Sequence, residues 1–105
     1  MNKKESKLRY DLVPVDAERE KVKAFMFGIE KYAPWDWLYK NPYKYSEGYD
    51  KVRRHIEAWR DGETHDPESG LHHLAHAAAD IDILLTYALR GMGEELDDLT
   101  KEEGI

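Results

Sequence analysis

Cysteine is absent from this 105-residue chain, which excludes a disulfide framework, a thiolate nucleophile and any cysteine-held metal. No apolar run is long enough to cross a bilayer, so a soluble chain with no membrane as partner is the expectation. The opening Met1-Asn2-Lys3-Lys4-Glu5-Ser6-Lys7 is basic but lacks the apolar block of a secretory signal, and a cytoplasmic location is the expectation. Positive charge is in deficit: 16 Lys and Arg stand against 22 Asp and Glu, a formal net charge of −6. That balance argues against broad DNA binding, which needs many cations on phosphates, and suits carboxylates that hold metal ions. No alternating apolar-polar run, internal repeat or low-complexity tract is found, which leaves helices as the building material. The length allows one small domain over residues 1–105 and excludes two. A domain of this size buries only about 60–70% of its unfolded surface, so completion by a second copy is expected.

What is present is organised around Asp66-Pro67-Glu68-Ser69-Gly70-Leu71-His72-His73-Leu74-Ala75-His76-Ala77-Ala78-Ala79-Asp80-Ile81-Asp82. Asp66 suits an N-cap and Pro67 the first helical position, which predicts a helix from there to about Leu89. At about 100° per residue, Leu71, Leu74, Ala78, Ile81, Leu85 and Leu89 share one side, and His73, His76 and Asp80 fall together opposite. The polar stripe has two readings. It is a set of core histidines satisfied by carboxylates, or it is a divalent-metal or general-base site whose ring nitrogens and oxygen converge. Asp82 lies among alanines, where an unpaired charge is expensive, so it requires a nearby cation or a cleft.

In chain order, residues 1–15 read as an arm in which Pro14 blocks a helix. Asp16 suits an N-cap, and Val22, Phe25, Met26, Ile29 and Tyr32 predict an amphipathic helix that stops near Ala33-Pro34. The next dozen residues, Pro34 to Tyr45, hold two Trp and three Tyr without a clear period. They are either a loop whose rings cover helix ends or a stacking lid for a base beside Lys31, Lys40 and Lys44. Ser46 suits a cap for a second helix, with Tyr49, Val52, Ile56 and Trp59 as its apolar face and an end near Gly62. Arg53, Arg54, His55 and Glu57 lie on its flanks. The organising helix closes at Arg90-Gly91, and the acidic tail 91–105 reads as a weak helix with Leu96 and Leu99 to bury. The expectation is a small all-α bundle: an arm 1–15, a core 16–90 of three main helices, and a tail with a weak C-terminal helix.

Four blocks also resemble a known family. They are Lys7-Leu8-Arg9-Tyr10-Asp11-Leu12-Val13-Pro14, then Gly28-Ile29-Glu30-Lys31-Tyr32 followed by Trp37, then Arg54 to Glu63, then Asp66 to Ala77. In order and spacing, over roughly residues 7–90, they resemble the phage-associated dATP/dGTP diphosphohydrolases related to the all-α MazG-type nucleotide pyrophosphohydrolases. The resemblance implies a helical fold assembling as a homodimer or homotetramer, in the host cytoplasm if phage-encoded. It also implies a Mg²⁺- or Mn²⁺-dependent site that cleaves a purine deoxynucleoside triphosphate between its α- and β-phosphates. The positions carried by the family's own pattern are Glu30, Lys31, His55, Glu63, Asp66, Glu68, His73 and His76. The paired Glu-x-x-Glu and Glu-x-x-Asp motifs of the wider MazG group are missing, since Phe27 and Ala33 flank Glu30 at that step.

Cleavage of a triphosphate demands charge management, which divalent ions on carboxylates supply. Glu30, Glu68 and Asp80 are therefore the expected metal carboxylates, with Glu30 on its helix facing the neighbouring helices. Glu30, Glu68 and His76 form the expected catalytic set. Lys31 and Arg54 are assigned to phosphates, Trp37 to the base, and His55 and His73 to substrate binding. The alternative is a protein that binds and sequesters a nucleotide or nucleotide signal without catalysis, which the missing acid ladder supports. An HD-type phosphohydrolase ranks lower, because its His-Asp pair occurs only as His65-Asp66 in an expected loop.

Overall fold

Residues 7–100 are described by the computed structural model. The arm carries one short 3₁₀ turn, Tyr10–Leu12, and its described residues are exposed. Pro14 then fixes the entry to helix α1, Val15–Gly28, as its N-cap residue at φ −66°. Asp16, the expected cap, sits inside the first turn, where its carboxylate accepts from the Ala17 N–H and meets the positive end of the helix. α1 stops at Gly28, earlier than the apolar period implied. From there the N–H groups of Glu30 and Lys31 bond to the carbonyls three residues back, of Phe27 and Gly28, so the chain tightens into a turn.

Part of the aromatic segment is a single helical turn, α2 (Asp36–Tyr39), which the sequence pattern did not reveal. Trp35 enters it at φ +65°, the one described non-glycine residue with positive φ. α3 follows as Tyr45–Arg60 and ends at Gly62, whose φ of +105° releases the chain. Its N-terminus is capped from far along the sequence. Asp98 accepts the Ser46 N–H at 2.8 Å and the Ser46 hydroxyl, so Ser46 is served by a cap and does not supply one.

The organising helix is α4, and it runs His73–Leu89, not from Asp66. Residues 66–72 form a closed loop instead. The Asp66 N–H bonds to the Leu71 carbonyl (2.8 Å), the Gly70 N–H returns to the Asp66 carbonyl (2.7 Å), and Gly70 takes φ +76°. An isolated antiparallel bridge between His65 and His72 zips its base. His72 becomes the cap, its Nδ1 accepting from the Leu74 N–H. At the far end Gly91 at φ +72° closes the helix as expected, and the tail forms one turn, α5 (Gly93–Leu96). Residues 101–105 of the expected tail helix lie outside the described residues.

α4 is the centre of the bundle, packed by α3 on one flank and α1 on the other. Buried Ala75, Ala77 and Ala79 let both neighbours close in. Leu38, Ile83, Tyr87 and Leu96 form the core, with Phe25, Trp37, Tyr43 and Leu84 against it. Tyr87 is fully buried, and its hydroxyl donates to the Trp37 carbonyl at 2.6 Å. The face expected to be core is the outer one: Leu74, Ile81, Leu85 and Leu89 are exposed. Among the described residues no strand occurs, and no helix is long and apolar enough to cross a membrane.

Candidate active site

Along α4 the residues His76, Asp80, Ile83 and Tyr87 follow one another at steps of four, three and four, which aligns them on one face. His76, Asp80 and Ile83 of that face floor a cleft of about 1130 Å³, large enough for a nucleotide, while Tyr87 is fully buried in the core. The stripe of His73, His76 and Asp80 thus faces inward, with both histidines hydrogen-bonded. It meets α3 and the 66–72 loop at one end and the aromatic segment at the other.

At the polar end three groups converge. His55 from α3, Asp66 from the loop and His76 from α4 each offer a ligand atom, and these atoms lie within 4.8 Å of one another. The rings of His55 and His76 stack at 4.7 Å between centroids, with 12° between planes. Asp66 is held in place through one oxygen: Oδ1 accepts the Glu68 N–H at 3.0 Å, while Oδ2 lies 3.6 Å from His76 Nε2. Ser69 Oγ accepts the Leu71 N–H and shares a 2.6 Å hydrogen bond with His76 Nε2.

Behind this group lies a chain of hydrogen bonds. His73 is 5% exposed and pairs through Nε2 with Glu63 at 2.7 Å and through Nδ1 with His55 Nδ1 at 2.9 Å. The carboxylate only accepts, so His73 Nε2 carries the proton and Nδ1 the lone pair. His55 Nδ1–H must then donate to His73, which leaves the lone pair of His55 on Nε2. Burial, reinforced by the His76 and His73 imidazoles, pushes His55 down to about 4, and burial also lowers His76. Both rings are therefore neutral at neutral pH and free to act as ligands or bases.

Asp80, one turn beyond His76, is pushed up to about 6 by burial, against the opposing pull of Lys51 and Arg54. Lys51, Arg54, Lys31 and Lys44 line the cleft and give it a cationic band. Lys31 pairs with Glu68 across the mouth, and that hydrogen bond raises the lysine. Asp82 pairs with Lys21 at 3.0 Å and also borders the cleft, so both solutions to its charge are present. The other end is aromatic. Trp35 and Trp37 lie 5.7 Å apart, Phe25 lies 6.4 Å from Trp37, and Tyr43 completes the wall. The Tyr43 hydroxyl is buried without a hydrogen-bond partner, and burial raises its pKa.

Of the residues singled out from the sequence, Lys31, Trp37, Arg54, His55, Glu68, His76 and Asp80 meet in this cleft. His73 stands behind it. Glu30 does not join them: it is exposed in the turn after α1 and borders a separate small hollow with Lys23, Met26 and Ser69. The early end of α1 is the reason, because it turns that carboxylate away from the neighbouring helices. Asp66, read as a helix cap, is instead a carboxylate beside the two imidazoles. Lys51 and Ser69 were missed, although Lys51 lies one helical turn before His55 and Ser69 lies within the Asp66-to-Ala77 block.

A family model described as dATP/dGTP diphosphohydrolase, N-terminal, matches residues 1–98. The chain belongs to this family. All of the cleft residues named above fall within the matched span of the dATP/dGTP diphosphohydrolase domain. Neither the curated proteins nor the solved structures give a match. The family is one of nucleotide hydrolases, and the cleft offers an aromatic wall, a cationic band and a proton-accepting end in that order along α4.

Proposed function

We propose that this cleft hydrolyses a purine deoxynucleoside triphosphate between its α- and β-phosphates. The observation that carries the reading is the order of groups along α4. From His76 to Thr86, the first and last α4 residues that line the cleft, is 10 residues, about 15 Å of helix, on the order of the span from a triphosphate to its base. The aromatic wall of Trp35, Trp37 and Tyr43 takes the purine by stacking. Lys31, Lys51 and Arg54 meet the phosphates, where charge accumulates as the bond breaks.

The donor set of His55, Asp66 and His76 fits a divalent ion, since each group offers a ligand atom and these atoms lie within 4.8 Å of one another. A divalent ion held there would supply charge neutralisation for the phosphates. Asp80 is the base: a carboxyl near 6 is largely ionised at pH 7 yet still takes a proton well. In the step, water oxygen bonds to the α-phosphorus and its proton passes to the Asp80 carboxylate. The bridging oxygen leaves with the β-phosphate, yielding a nucleoside monophosphate and pyrophosphate.

Purified protein with each deoxynucleoside triphosphate and Mg²⁺ or Mn²⁺ tests this by pyrophosphate release. Turnover of dATP and dGTP in ¹⁸O water should place the label in the monophosphate. Absence of turnover, with tight nucleotide binding that persists in EDTA, would instead establish the sequestering protein.

A further inference from the structure

We propose that His55, Asp66 and His76 form a binding site for a transition-metal ion, and that the Glu63–His73 pair positions His55 for it. This deepens the triphosphate reading of the cleft and rests on it for the ion's role, but not for its binding. Three features carry the inference. The first is distance: an ion with bonds of about 2.1 Å sets its donors roughly 3–4 Å apart, so ligand atoms within 4.8 Å close around one by small side-chain rotations. The second is the hydrogen-bond chain, in which Glu63 holds His73, His73 occupies Nδ1 of His55 and the Glu68 N–H occupies Oδ1 of Asp66, leaving Nε2 of His55 and Oδ2 of Asp66 for an ion. Ser69 surrenders its bond to His76 when the ion enters.

The third is the outer support. A ligating imidazole characteristically donates its second N–H to a fixed acceptor, which sets the tautomer and the ring plane. Here that acceptor is buried His73, itself fixed by Glu63 at 2.7 Å. A solvated histidine pair needs no such chain. Two imidazoles and one carboxylate favour borderline cations such as Mn²⁺, Co²⁺ or Zn²⁺ over Mg²⁺, which prefers oxygen and keeps its waters. The same set leaves coordination positions open for water and phosphate oxygens.

The probe is Co²⁺ added to the metal-stripped protein without nucleotide, read by its visible d–d absorption and by calorimetry against Mg²⁺. One Co²⁺ per chain should bind, with Mg²⁺ far weaker. His76→Ala and Asp66→Asn should abolish the band, and Asp66→Asn keeps the shape of the loop if His76→Ala fails to fold. His73→Gln should weaken Co²⁺ binding about 10- to 100-fold while retaining one ion per chain. Co²⁺ affinity unchanged in Asp66→Asn, or no Co²⁺ binding by the parent protein, overturns the site. Hydrolysis supported by Mg²⁺ without any Co²⁺ binding would sink this site and leave the hydrolase standing, whereas one bound Co²⁺ with no turnover would do the reverse.

Discussion

One carboxyl in the cleft is held in tension with its surroundings. Asp80 is pushed up to about 6 by burial, from the ordinary aspartate value of 3.8. Its folded value is raised, so its contribution to stability is fully present below about pH 4 and is lost as pH rises through 6. A shift of roughly two units corresponds to about 3 kcal/mol of cost at neutral pH. Asp80→Asn should therefore raise the melting temperature of the metal-free protein by several degrees at pH 7.5, and by almost nothing at pH 4. An equal gain at both pH values would show that the carboxyl is not ionising against its surroundings. The same substitution should lower turnover, since the amide takes no proton. Asp80 was legible in the sequence as one of three polar groups on an apolar helix that must find partners. The role of Asp66 was not, because one carboxylate can cap a helix or face two imidazoles, and only the path of the chain decides which.

Elements follow the same division. α1, α3 and α4 were legible from apolar residues recurring at three and four, and the ends at Gly62 and Gly91 from glycine's access to positive φ. Starts were harder to place, because their caps come through space: Asp98 serves α3 from 52 residues away. The inward face of α4 was also misplaced. Large apolar residues suggested the core, yet alanines let α1 and α3 approach, and close approach decided which side was buried. The crossing of α3 and α4 depends on one small residue in a similar way. A Cβ at Gly48 would stand 2.5 Å from Leu84 Cδ2 and 2.9 Å from Tyr43 Cε1. Gly48→Ala should cost about 1–3 kcal/mol through that overlap, despite alanine's better helix propensity. Denaturant unfolding would reveal it, and a stabilised variant would mean that the Tyr43 and Leu84 side chains swing aside freely.

At the scale of the whole molecule, one chain leaves too much apolar surface uncovered. Its Cα radius of gyration is 15.8 Å, against about 13 Å for a closely packed domain of this length. Ile81 is 48% exposed, Leu85 54% and Leu89 78%, on the helix at the centre of the bundle. With Leu74 and Ala78 they recur at steps of four, three, four and four, the spacing of a seam that packs against its own like. A second copy of the chain suits that surface, because a two-fold axis across α4 sets each leucine row against the same row, with Asp82 at its edge already paired to Lys21. The cleft lies on the opposite face of α4, so pairing leaves it open. Light scattering at micromolar concentration should accordingly give a multiple of the chain mass. Leu85→Glu should bring it to the monomer mass and lower thermal stability by exposing the row, while leaving Co²⁺ binding at His55, Asp66 and His76 intact. A monomer mass for the parent protein would mean that the outer row of α4 is covered by something other than its own copy.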